Sequence, residues 1–151
     1  MIGMNSSAAK MPGAWYEAAP GKGIVYDLSS AALSAPDTVG RLRAVAGLGK
    51  TGDPRAVRPL MDLVSDSDPA IRRGAIAALA ELKSGRPVEV LLERLRDRKE
   101  EAEIRHLAAE TLAAIRSTGA VRGLREFSVD PGEDEELRTR VGGLLTHIGN
   151  V

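Results

Sequence analysis

Few residues in this 151-residue chain have the type and spacing that chemistry requires. Cysteine is absent, which removes thiolate nucleophiles, disulfides and thiolate zinc sites together. The only histidines, His106 and His147, have no second histidine or cysteine at ligand spacing, and no serine stands in a Ser-His-Asp setting. Carboxylates crowd at Glu100-Glu101 and from Glu133 to Glu136, in stretches that read as loops, where solvated charge is the ordinary explanation. One stretch imitates a phosphate cradle: Ala44-Val45-Ala46-Gly47-Leu48-Gly49-Lys50-Thr51 meets a relaxed Walker A pattern, and Gly47, Gly49 and Gly52 make a G-x-G-x-x-G. A cradle needs a strand entering the glycine loop and a helix leaving it, so that backbone N–H groups converge on the anion. Here the residues upstream have helical period, and no apolar strand ends in an aspartate to hold magnesium. These types therefore point to no catalytic residue, cofactor or metal.

What does recur is an acid followed four residues later by an arginine. The acids are Asp37, Asp68, Glu101 and Asp134; the arginines are Arg41, Arg72, Arg105 and Arg138. Behind them, in the same register, run Ala44, Ala75, Ala108 and Val141, then Leu48, Leu79, Leu112 and Leu145, then Thr51, Leu82, Ile115 and Ile148. An acid at a helix N-terminus satisfies free backbone N–H groups and meets the positive end of the helix dipole, worth roughly 0.5 to 2 kcal/mol. The arginine one turn on shares its face. Stacked repeats then predict a ladder, each arginine reaching the acid of the neighbouring repeat through a forked pair of hydrogen bonds.

The elements that must position this ladder are helices. Aromatics are scarce, and a core of Ala, Leu, Val and Ile suits closely stacked helices. Residues 1 to 23, broken at Pro12-Gly13 and Pro20-Gly21, read as an irregular arm that Trp15-Tyr16 could pin. A short helix from Ile24 to Leu33 falls where the second helix of a preceding repeat would lie, as a degenerate cap. Asp37 opens the first full unit, with a turn at Gly52-Asp53-Pro54 and a second helix bearing Val57, Leu60, Met61 and Val64 on one stripe. Pro59 belongs near the start of that helix, where its missing N–H costs little. The plan repeats from Pro69 to Lys83, with Val88, Leu91, Leu92 and Leu95 after a break at Ser84-Gly85. Helices from Glu101 to Ser117 and from Ala120 to Phe127, broken at Thr118-Gly119, come next, then a final helix from Asp134 to Ile148. A single hairpin cannot hide its own apolar face, so the period predicts an all-α, right-handed superhelix of about three and a half hairpins over residues 24 to 151.

The strings GKTGDPRAVRPLMDLVSDSDPAIRRGAIAALAEL (49 to 82) and EIRHLAAETLAAI (103 to 115) resemble HEAT repeats, particularly the short kind related to phycobilisome-lyase HEAT-like repeats. Gly52-Asp53-Pro54, Ala56-Val57, Leu60 and Asp68 to Arg72 carry the likeness, which covers roughly residues 37 to 151. It departs at the arm, at Arg125 and Ser128 in the third second helix, and after Ile148, where no further helix follows. The resemblance implies an armadillo-like solenoid that binds proteins in many settings. HEAT-like enzymes that hydroxylate deoxyhypusine carry several His-Glu pairs for iron, whereas Leu107 and Ile148 follow the histidines here, which sets that enzyme aside.

The function expected from sequence is accordingly a non-catalytic protein-binding scaffold, with an accessory or lyase-like subunit for prosthetic-group attachment and a HEAT-like nucleic-acid binder as alternatives. The resemblance places second helices on the concave face, where Arg58, Glu89 and Arg122 form one polar column and Asp62, Glu93 and Glu126 an acidic one. That face suits a basic or mixed-charge helix or peptide. The last helix, with Val141, Leu144, Leu145 and Ile148, leaves a face for a homodimer or an end-on partner. Charges balance at 21 basic and 21 acidic residues, so no global field favours nucleic acid or an anionic membrane. No apolar run reaches the ~18 residues of a membrane span, and a cytoplasmic location is expected.

Overall fold

A computed structural model describes residues 23–149. The expected arm, Trp15-Tyr16 included, therefore lies almost wholly outside the described residues. Eight α-helices follow one another among them: α1 (Gly23–Ser34), α2 (Thr38–Lys50), α3 (Val57–Leu63), α4 (Pro69–Leu82), α5 (Val88–Arg96), α6 (Ala102–Ile115), α7 (Thr118–Ser128) and α8 (Glu135–Ile148). A 3-10 turn, Pro54–Ala56, leads into α3 and brings Pro59 into its first turn. There is no strand among the described residues. Helices α2, α4, α6 and α8 stack as one layer; α3, α5 and α7 pair with the first-layer helices that follow them, and α5 also packs on α7. The result is a helical-repeat superhelix, and α1 packs against α2 at its start.

The periodic columns become the core. Leu48, Leu79 and Leu112 are fully buried, as are Leu60, Leu91 and Leu124 from the second layer. Burying a leucine stabilises a fold by roughly 2 kcal/mol, so these two columns hold the layers together. Gly49 lets first-layer helices approach: a Cβ there would meet the Ala78 Cα at 2.9 Å. In the second layer Leu92 packs onto Gly123, where a Cβ would stand 2.5 Å from its Cδ2.

Helix ends follow the local chemistry. Asp37 accepts from the Gly40 N–H, Asp68 from Ala70, and Asp134 from Glu136 and Leu137. Glu101 makes no side-chain cap; the Glu101 N–H is taken by the carboxylate of Glu100. The break expected at Thr118-Gly119 lies two residues earlier. Arg116 takes the left-handed conformation (φ 60°), and Ser117 accepts from the Ala120 N–H, so Thr118 and Gly119 open α7. None of the described helices is long and apolar enough to cross a membrane.

Candidate functional site

The arginine column forms the most heavily bonded polar array of the fold, with partners other than those the columns predict. Arg41 pairs with Asp66 (Nη2–Oδ1 2.6 Å) and donates to the Ala32 carbonyl. Arg72 grips Glu100 with two guanidinium nitrogens (2.7 and 2.8 Å) and donates to the carbonyls of Asp66 and Ser67. Arg105 binds Glu133 (2.6 Å) and the Leu95 carbonyl, and its guanidinium lies 5.8 Å from the centre of the Phe127 ring. Each arginine thus ties the last turn of the preceding helix, or the loop after it, to the loop before the next first-layer helix. The acids are Asp66, Glu100 and Glu133, not Asp68, Glu101 and Asp134. Asp68 and Asp134 accept with carboxylate oxygens from the N–H groups of Ala70 and Glu136 in the helices they cap, so the arginines take the acids one or two positions upstream. Arg138 has no acid partner among the described residues, and its Nε is buried without a hydrogen bond.

Electrostatics mark Glu100 as the centre of this ladder. Its burial works to raise its pKa, but the Arg72 fork, the Glu101 N–H and Arg94 (3.0 Å) prevail and hold it at about 2. The Arg41 hydrogen bond holds Asp66 below the ordinary carboxylate range against its partial burial. Ion pairs this satisfied hold a register and leave no oxygen turned to a substrate, so the ladder is structural in character.

The six polar residues of the second-layer columns are all exposed. Arg58 and Asp62 face each other at 3.7 Å along α3, and Glu126 meets Arg96 of α5 at 3.6 Å. Glu89 and Glu93 have no ion-pair partner among the described residues, and Arg122 lines a groove described below. The Walker-like stretch lies inside α2, where Gly47 and Gly49 are helical and Gly49 is buried, so its N–H groups serve the helix.

His106 is half-buried on α6 and lines a cavity of about 100 Å³ with Ala109, Glu110, Arg140 and Leu144. The iron that the resemblance brings to mind finds no fitting donor set there. Arg140 lines the same cavity, and no group of three His, Asp or Glu side chains able to hold a metal exists among the described residues. His147 is exposed near the end of α8.

Comparison with known proteins corrects the functional expectation. Curated relatives named deoxyhypusine hydroxylase match over 91 residues: 31% identity in Bos taurus and in Rattus norvegicus, and 28% in Homo sapiens. The match covers 60% of this chain and 30% of the length of those relatives. The solved structure of human deoxyhypusine hydroxylase in complex with glycerol superposes with a TM-score of 0.70 at 22% identity, over 82% of this chain and 43% of that one. An engineered protein superposes with a TM-score of 0.57 at 23% identity, over 82% and 62%. At such identities the structures speak for the fold alone. The relatives, however, are named as an enzyme, which overturns the expectation of a non-catalytic scaffold. That expectation came from the hairpin period, which encodes packing and is silent about chemistry. A HEAT-repeat family model matches residues 27–102, and with the stacked hairpins this makes the chain a member of the HEAT-repeat family.

Proposed function

We propose that the chain works in an enzyme of the deoxyhypusine hydroxylase kind, as the array that holds the cationic side chain to be modified. The observation that carries this reading is the match to several relatives of that name. Deoxyhypusine is an amine-bearing derivative of lysine, and a cationic arm calls for exposed carboxylates with no competing partner. Glu89 and Glu93 on α5 are such groups, flanked along the second layer by Asp62 and Glu126, whose ion pairs at 3.6 to 3.7 Å are loose and solvent-exposed. Exposed pairs of this kind are worth about 0 to 1 kcal/mol, so an incoming amine can displace them. The donor set around His106 does not suit iron.

The test is fluorescence anisotropy with a labelled peptide bearing deoxyhypusine and a matched peptide bearing lysine. The reading expects preference for the deoxyhypusine peptide and its loss on combined Asp62→Ala, Glu93→Ala and Glu126→Ala substitution. Equal affinity for both peptides, or a triple variant that binds undiminished, refutes it.

A further inference from the structure

The second-layer helices reuse one packing face. On α5, Val88 and Leu92 point at α7, lying against Gly119 and Gly123. One repeat on, the same positions of α7 are Val121 and Arg125. In the column Met61, Leu92, Arg125, a half-buried and then a buried apolar side chain give way to an exposed cation. Around it a groove of about 440 Å³ runs along α7, lined by Arg116, Thr118, Val121, Arg122, Arg125 and Glu126. No described element covers it. Arg116, Arg122 and Arg125 have no ion-pair partner among the described residues, while the one acid on the rim, Glu126, is engaged by Arg96. The same end of the superhelix carries Arg138, whose ladder equivalents Arg41, Arg72 and Arg105 each hold an acid brought by the following loop.

We propose that this face docks an acidic helix of a partner protein, laid along α7 where a next second-layer helix would stand. The groove supplies the shape, since α5 against α7 already shows how such a helix seats. The arginines supply the sign: an apolar follower would bury Arg125 unpaired, whereas glutamates on its facing side give each guanidinium a fork. An acid just past the end of the partner helix, as Asp66, Glu100 and Glu133 follow α3, α5 and α7, would complete the rung at Arg138. This surface shares Glu126 with the acidic column but not Glu89 or Glu93, and its arginines do not rest on the hydroxylase reading.

The test uses two labelled helical peptides, one with glutamates and leucines along a single face and one with lysines in place of the glutamates. The glutamate peptide should bind, the lysine peptide should not, and Arg122→Ala or Arg125→Ala should each weaken binding about tenfold. Because the arginines are exposed, their variants should keep the parental melting temperature. Combined Arg122→Glu and Arg125→Glu should exchange the preference, taking the lysine peptide, a gain that misfolding cannot mimic. Indifference to peptide charge, or to both charge-reversing substitutions, overturns the proposal. So does displacement of the glutamate peptide by millimolar inorganic phosphate, which would mark a simple anion site. Concentration-dependent self-association in light scattering that the same arginine variants abolish overturns it too, by assigning the groove to a second copy.

Discussion

Glu100→Gln is the most incisive perturbation of the ladder. The Glu100 side chain is fully shielded from solvent, receives Arg72 at 2.7 and 2.8 Å and Arg94 at 3.0 Å, and has its pKa lowered from 4.5 to about 2. A folded-state pKa below the unfolded one means that ionised Glu100 stabilises the fold fully above about pH 4.5, and that this stability drains away as pH falls toward 2. A gap of about 2.5 units corresponds to about 3 kcal/mol. Glu100→Gln keeps the shape and one acceptor but leaves Arg72 without its anion and Arg94 with Asp97 alone, at 3.4 Å. At neutral pH the variant should therefore unfold about 3 kcal/mol more easily than the parent, measured by urea denaturation followed by circular dichroism. On acidification the parent should lose stability faster, so that the two curves draw together below pH 4.5 and converge toward pH 2. Asp66, held low by Arg41, titrates in the same direction in both proteins and leaves the difference unaffected. A variant as stable as the parent at neutral pH, or two curves that fall in parallel, would refute the ladder as the source of this stability.

Further outcomes follow from the same geometry. Arg72→Ala, which leaves Glu100 with Arg94 as its one cation, should cost about 2 to 3 kcal/mol, whereas Arg138→Ala, with no acid to strand, should stay within about 0.5 kcal/mol; thermal denaturation of the pair checks the contrast. Gly49→Ala should destabilise more than Gly123→Ala. The first Cβ would meet the Ala78 backbone at 2.9 Å, while the second meets only the movable end of Leu92, against a general overpacking cost of about 1 to 3 kcal/mol. Iron(II) titrated into the chain and followed by calorimetry should give no tight stoichiometric heat, because no three His, Asp or Glu side chains converge around His106 or elsewhere among the described residues; a saturating one-to-one isotherm would contradict that assessment.

The fold was legible because a buried position recurs whenever a hairpin does. Leu48, Leu79 and Leu112 declare the first layer, and Arg41, Arg72 and Arg105 declare the ladder, since all must meet the same neighbour in every repeat. The ladder acids were harder to see. Asp66 sits two residues before its helix cap and Glu100 and Glu133 one, so loop spacing blurs their column while the caps beside them stay in register. The start of α7 was misplaced because Arg116 adopts a left-handed turn that glycine would ordinarily signal. The function was not legible in the period at all. The positions that would touch a substrate, such as Glu89 and Glu93, are exposed and free of packing demands, so their spacing looks like that of any solvated helix face.

The substrate-holding account is tested most directly by nuclear magnetic resonance titration of the isotopically labelled chain with the deoxyhypusine peptide. Amide shifts should saturate along α5 around Glu89 and Glu93 and extend to Asp62 on α3, with the lysine peptide producing weaker shifts at the same sites. A spectrum that stays unmoved along the second layer while peptide is added in excess would contradict it.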